Sequence, residues 1–114
     1  MKRTPIRRKS KKQSAIDRQL RDVYIEMCET RRHICTGCGS NQHLSHSHLI
    51  PRSRRRDLVA DINNITYHCL PCHKKWEAGV DTNEMYDFHR NMDYIKSVDL
   101  EYFNIREQKL AKNN

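Results

Sequence analysis

Two Cys-x2-Cys pairs, Cys35–Cys38 and Cys69–Cys72, constrain this chain more than any other feature of its sequence. Each pair sets two thiols on one tight turn, and two such turns supply the four sulfur ligands of a tetrahedral zinc ion. Only 36% of the 114 residues are apolar and 32% are charged, so a core alone stabilises the chain modestly and a metal staple is expected to supplement it. Paired cysteines in a reducing compartment bind metal more often than they form disulfides. The pairs therefore predict a structural Zn2+ on Cys35, Cys38, Cys69 and Cys72. Cys28 has no close cysteine neighbour in the sequence and is expected to pack as a small apolar side chain.

Such a zinc ion turns the residues between the pairs into a closed excursion whose ends meet. Within it, "LSHSHLIP" (44–51) and "ITYHC" (65–69) alternate enough, and are β-prone enough, to be two short strands of a hairpin. "RSRRRDLVADINN" (52–64) reads as the connecting loop, with room for a short helical turn. "LPCHKKWEAGV" predicts a helix that starts after the second cysteine pair and stops at Gly79. The expected class is α+β, a ββα unit over about 35–78 clamped by zinc at its base.

The flanks read as helices. Ser14 and Asp17 form an S-x-x-D cap, and Ile16, Leu20, Val23, Tyr24 and Met27 fall on one helical face, which predicts a helix over about 14–32. Arg31 and Arg32 suit the negative end of its dipole. After Gly79, Asp81 and Thr82 offer a new cap, and Met85, Tyr86, Phe88, His89, Met92 and Ile95 give an amphipathic pattern. A last helix over about 100–111 carries Tyr102, Phe103, Ile105 and Leu110. Residues 14–114 are thus expected to be one domain, with C-terminal helices over about 82–111, preceded by a basic arm over 1–13.

Charge is unevenly placed. The net charge is +8, yet residues 1–57 carry 15 Lys/Arg against 5 Asp/Glu, whereas residues 58–114 carry 7 against 9. Clustered cations gain from counterion release on a polyanion, so a nucleic acid is the expected partner. No run is long and apolar enough to span a membrane, and the basic start lacks a following apolar segment, so a cytoplasmic chain is expected.

The polar residues of the ββα unit carry the candidate chemistry. His73 and Glu77 are four apart on one helix, a spacing that places both on one face for a divalent metal. A strand imidazole opposite them could take a proton from water. Arg52, Arg54, Arg55 and Arg56 adjoin on the loop, and Lys74 and Lys75 on the helix, as candidate contacts to phosphate. Trp76 is expected in the core, His68 in a structural role, and His33, His43 and His89 at the surface.

The order C-x2-C, then S-H-L-I-P-R-S, then N-N-I-x3-C-x2-C-H resembles the HNH endonuclease family, the zinc-ribbon-containing ββα-metal nucleases. The resemblance covers residues 35–77. The short length and basic start are similar to small phage-encoded members. It implies a metal-dependent endonuclease acting on DNA, leaving 5′-phosphate and 3′-hydroxyl ends, with packaging or recombination proteins as further partners. It also implies that His48 is the general base, that Asn64 braces the loop orienting it, and that His73 binds a catalytic Mg2+, Mn2+ or Ni2+. Glu77 falls where some members carry a second helical ligand. The chain departs from the pattern at Ser47, where the family has a metal-binding Asp or His. Three arrangements follow. The metal rests on His73 and Glu77 with water and phosphate, a bulge brings in His46, or the site is weakened. The competing class is a non-catalytic zinc-stabilised module that binds nucleic acid.

Overall fold

Helix α1 begins at Lys11 because Ser10, in an extended conformation, accepts the Gln13 N–H on its hydroxyl at 3.1 Å. The computed structural model describes residues 10–113, so the arm expected over 1–13 lies mostly outside the described residues. Its last four positions are instead the cap and first turn of α1 (Lys11–Thr30), and Ser14, expected as the cap, is inside the helix. Leu20 and Met27 are buried on the anticipated face, with Ile16, Val23 and Tyr24 packed beside them. Cys28 is exposed, contrary to expectation. Its neighbour Met27 takes the inward position, and one residue of helical advance swings Cys28 about 100° away.

Strands β1 (Leu44–His48) and β2 (Ile65–Cys69) pair antiparallel without interruption, from Leu44 opposite Cys69 to His48 opposite Ile65. Alternation sends Ile65 and Tyr67 to the α1 side, where they join Leu20, Met27 and Val59. The other side carries Ser47, Thr66 and His68, all buried. The intervening segment makes two 3-10 turns, Arg56–Leu58 and Ile62–Asn64. Arg31 closes it against α1, donating to the carbonyls of Ile65 at 2.6 Å and Ile62 at 2.9 Å.

Helix α2 (Leu70–Ala78) follows β2 directly, so Cys72 lies inside the helix rather than before it. Cys69 is its extended N-cap, Pro71 suits the first turn, and Gly79 ends it in the left-handed conformation at φ 72°. Helices α3 (Phe88–Val98) and α4 (Leu100–Asn113) complete the α+β arrangement, which among the described residues has four α-helices and one two-stranded sheet. Cys35, Leu49, Ile50, Trp76, Met92 and Ile95 form the core on the α2 side.

Two expectations for the C-terminal half are corrected. The helix anticipated from residue 82 is a single 3-10 turn, Thr82–Glu84, and α3 starts only at Phe88. The Tyr86 N–H donates to the Gly37 carbonyl at 3.1 Å, so the chain is drawn to the first cysteine turn, and the Tyr86 ring is 81% exposed. On α4, Ile105 faces outward and Arg106 is buried, the reverse of the hydropathic reading.

Candidate functional site

The four paired cysteines converge. Their Sγ atoms all lie within 4.8 Å of one another, and Cys38 and Cys69 are 3.6 Å apart. A Zn–S bond of about 2.3 Å implies tetrahedral S···S edges of ~3.8 Å, so the set fits a metal ion such as zinc. The first turn is built by backbone bonds, with Gly39, at φ 83°, donating to the Cys35 carbonyl at 2.8 Å. Gly37 packs closely against the site, because a Cβ there would stand 3.1 Å from Cys72 Sγ and the neighbour would have to give way. Burial pushes the Cys35 thiol up, but hydrogen bonds from the backbone of Cys69, Cys38 and Gly37 outweigh it and bring its pKa down to about 6. Burial and the three neighbouring cysteines push Cys72 up. One readily ionised thiol among thiols that resist further negative charge is the electrostatic state a divalent cation relieves.

A second feature is an open cavity of about 420 Å³ beside β1. His46 and His48 of β1, His73 and Glu77 of α2, and Arg52 of the loop all line it. His48 is half-buried, and its Nε2 is 2.8 Å from the Val59 carbonyl. A carbonyl only accepts, so Nε2 carries the proton and Nδ1 the lone pair. Burial lowers the pKa of this imidazole below its usual value; the Val59 bond opposes that, and the charges of Arg52 and His73 add to it.

Asn64 is fully buried and joins the strand end to the loop. Its Oδ1 accepts the Ile50 N–H at 2.9 Å, and its Nδ2 donates to the carbonyls of Leu58 at 3.1 Å and Ile50 at 3.3 Å. It thereby fixes the residue next to Val59, whose carbonyl holds His48.

His73 lies between two partners. His73 Nδ1 is 2.8 Å from Ser45 Oγ, which is itself 3.0 Å from the His68 carbonyl, and His73 Nε2 is 2.9 Å from the Glu77 carboxylate. An imidazole and a carboxylate so close together could hold a divalent ion. His46 is held differently, stacked on Tyr24 with ring centroids 3.7 Å apart. The unbroken register of β1 leaves no bulge to swing it toward His73. Ser47 faces the interior, fully buried with its hydroxyl unpartnered among the described residues, and is not in the cavity wall. Among the described residues, the four cysteines are the only group of three or more Cys, His, Asp or Glu within common metal reach.

The cationic residues divide. Arg54 is bonded to Asp99 at 2.9 and 3.2 Å, and Arg55 to Asp57 at 2.8 and 2.9 Å and to the Val98 carbonyl. Both dock the loop onto the α3–α4 junction. Arg52 and Arg56 are exposed and, with Lys12, line a second hollow of about 270 Å³ that shares Arg52 with the first. Lys74 and Lys75 are exposed on α2, outside both hollows. Trp76 is in the core as expected, and its indole N–H donates to the Leu49 carbonyl at 3.2 Å.

Two features escaped the sequence reading. One is a buried polar cluster in which Thr36 bonds Thr66 and Asp87, both at 2.6 Å, with His68 Nε2 at 3.5 Å from the same carboxylate. The other is Arg106, which lines the cavity from α4; its i, i+4 relation to Tyr102 was the only available signal. Comparison of the chain with protein-family models, curated proteins and solved structures finds no match.

Proposed function

We propose that this chain is a small metal-dependent DNA endonuclease of the HNH type, with β1, β2 and α2 as its ββα core and His48 as general base. The protonation geometry of His48 carries the reading. With Nε2–H held by the Val59 carbonyl, the ring that lines the cavity keeps its Nδ1 lone pair, and burial favours the neutral form at pH 7. A neutral imidazole in that state accepts a proton from water, which attacks the phosphorus while the bond to the 3′ oxygen breaks. Asn64 is the positioning residue for His48 through the Leu58–Val59 backbone. His73 and Glu77 would hold a divalent cation such as Mg2+, Mn2+ or Ni2+, which would supply positive charge to the phosphate. Arg52, Arg56 and Lys12 hold the flanking backbone phosphates from the adjoining hollow.

The test is supercoiled plasmid incubated with the zinc-loaded chain and Mg2+, Mn2+, Ni2+ or no added metal. Metal-dependent nicking is expected, and it should disappear in His48→Ala while bound zinc and circular dichroism are unchanged. Cleavage by that variant at the wild-type rate would remove His48 from the mechanism. A non-catalytic nucleic-acid-binding module is the second reading, favoured by the absence, among the described residues, of a third close ligand beside His73 and Glu77. Gel shift without cleavage in every metal selects it.

A further inference from the structure

Arg106 is 5% exposed, and among the described residues it has no carboxylate partner. Arginine stays protonated in proteins, and a buried cation without a counter-ion is costly. Part of that cost is offset by Trp76, whose ring centroid is 3.9 Å from the guanidinium carbon, and by Tyr102 next to it. The offset is incomplete, since Nη2 is buried with no hydrogen-bond partner among the described residues.

The surroundings indicate what completes it. Arg106 lines the cavity that also holds His48, His73 and the exposed Arg52. The carboxylate in that wall, Glu77, is occupied by His73 at 2.9 Å. We infer that the cavity between β1, α2 and α4 is a phosphoryl-binding site whose fixed cation is Arg106. A guanidinium presents paired N–H donors that match phosphate oxygens, and its contact with the face of Trp76 holds it in place before the ligand arrives. The inference rests on the nuclease reading only for its identification of the phosphate as part of a DNA backbone.

Trp76 is the one tryptophan of the chain, so its emission reports on the guanidinium in contact with it. The experiment titrates the full, zinc-loaded chain, without other divalent ions, with inorganic phosphate against chloride at constant ionic strength. A saturable emission change is expected with phosphate and none with chloride. Arg106→Met, which keeps an apolar contact with the indole, should weaken phosphate binding by about tenfold or more, and Arg106→Lys, which keeps charge but loses the fork, by several-fold. If Arg106→Met fails to fold, the wild-type titration and Arg106→Lys decide. No saturable change in the wild type, or equal affinity in a folded variant, overturns the inference. Phosphate binding that depends on Arg106, with no plasmid cleavage in any metal, retains the inference and removes the nuclease reading. Cleavage that depends on His48 but is indifferent to Arg106, with no phosphate response, does the opposite.

Discussion

Replacing Asn64 with alanine tests the link between the loop and His48, the proposed base, which the loop's Val59 carbonyl holds. Three hydrogen bonds are lost at a fully buried position, one from the Ile50 N–H and two to the carbonyls of Leu58 and Ile50. The unpaired buried N–H alone costs about 1–3 kcal/mol, and the carbonyls and the vacated volume add to it, for a total of about 3–4 kcal/mol. With a urea slope of about 1–2 kcal/mol per M for a chain of this size, the unfolding midpoint of the zinc-loaded protein should fall by roughly 2 M. Asn64→Asp is no rescue. It keeps the acceptor for Ile50 but loses both donors and buries a charge, so its midpoint should be as low or lower. The same substitutions release Leu58, and with it the Val59 carbonyl that orients His48. Plasmid cleavage, measured well below the unfolding transition, should therefore slow more than the folded fraction explains. A midpoint loss equivalent to less than about 1 kcal/mol, with cleavage intact, would show that the Asn64 bonds do not brace this loop.

Metal analysis should find one zinc per chain, and Cys69→Ser or strong chelation should remove it together with cooperative unfolding; retention of a sharp transition without metal would refute the staple. The pH–rate profile should have an acid limb with its midpoint below 6.5, because only neutral His48 accepts a proton and burial lowers its pKa; a midpoint above 6.5 contradicts the assignment. Arg52→Ala and Arg56→Ala should each reduce the salt dependence of DNA binding by about one counterion, whereas Arg54→Ala and Arg55→Ala should leave that slope unchanged and lower stability instead. Bonds from Arg54 bring the Asp99 carboxyl down to about 2, below its ordinary 3.8, so its stabilisation is full above about pH 4 and is lost as pH falls through about 2. Asp99→Ala, which also removes the Tyr102 N–H bond at 3.0 Å, should cost about 1 kcal/mol at pH 7 and flatten that acid-side loss in a melting series.

Elements with a local physical cause were legible in the sequence. The cysteine spacing places the four thiols together, and the alternation in 44–48 and 65–69 gives the two strands. Gly79 terminates α2 because it alone tolerates the left-handed turn at low cost. Where tertiary contacts compete with local pattern, the sequence misleads. Thr82–Tyr86 reads as a helix start, but the Gly37 carbonyl claims the Tyr86 N–H and the helix waits until Phe88. On α4, hydropathy points Ile105 inward, yet the ring of Trp76 is an acceptable partner for a guanidinium, and Arg106 takes the interior position.

The candidate site divides along the same line. Residues whose environment is set by neighbours in sequence, such as His73 with Glu77 one turn on, meet as their spacing implies. The strand register bears on one arrangement that the sequence left open at positions 46 to 48, since it holds no bulge that would bring in His46. His46 and His48 share one side and Ser47 the other, where it is fully buried among the polar groups of the interior. An acidic side chain at 47 on this backbone would be a buried carboxylate beside the Thr66 and Asp87 cluster, not a ligand in the cavity, and like charge at that depth is strongly unfavourable. The serine therefore fits the interior of this sheet, and His73 and Glu77 are the side chains of the cavity wall that would hold the proposed divalent ion.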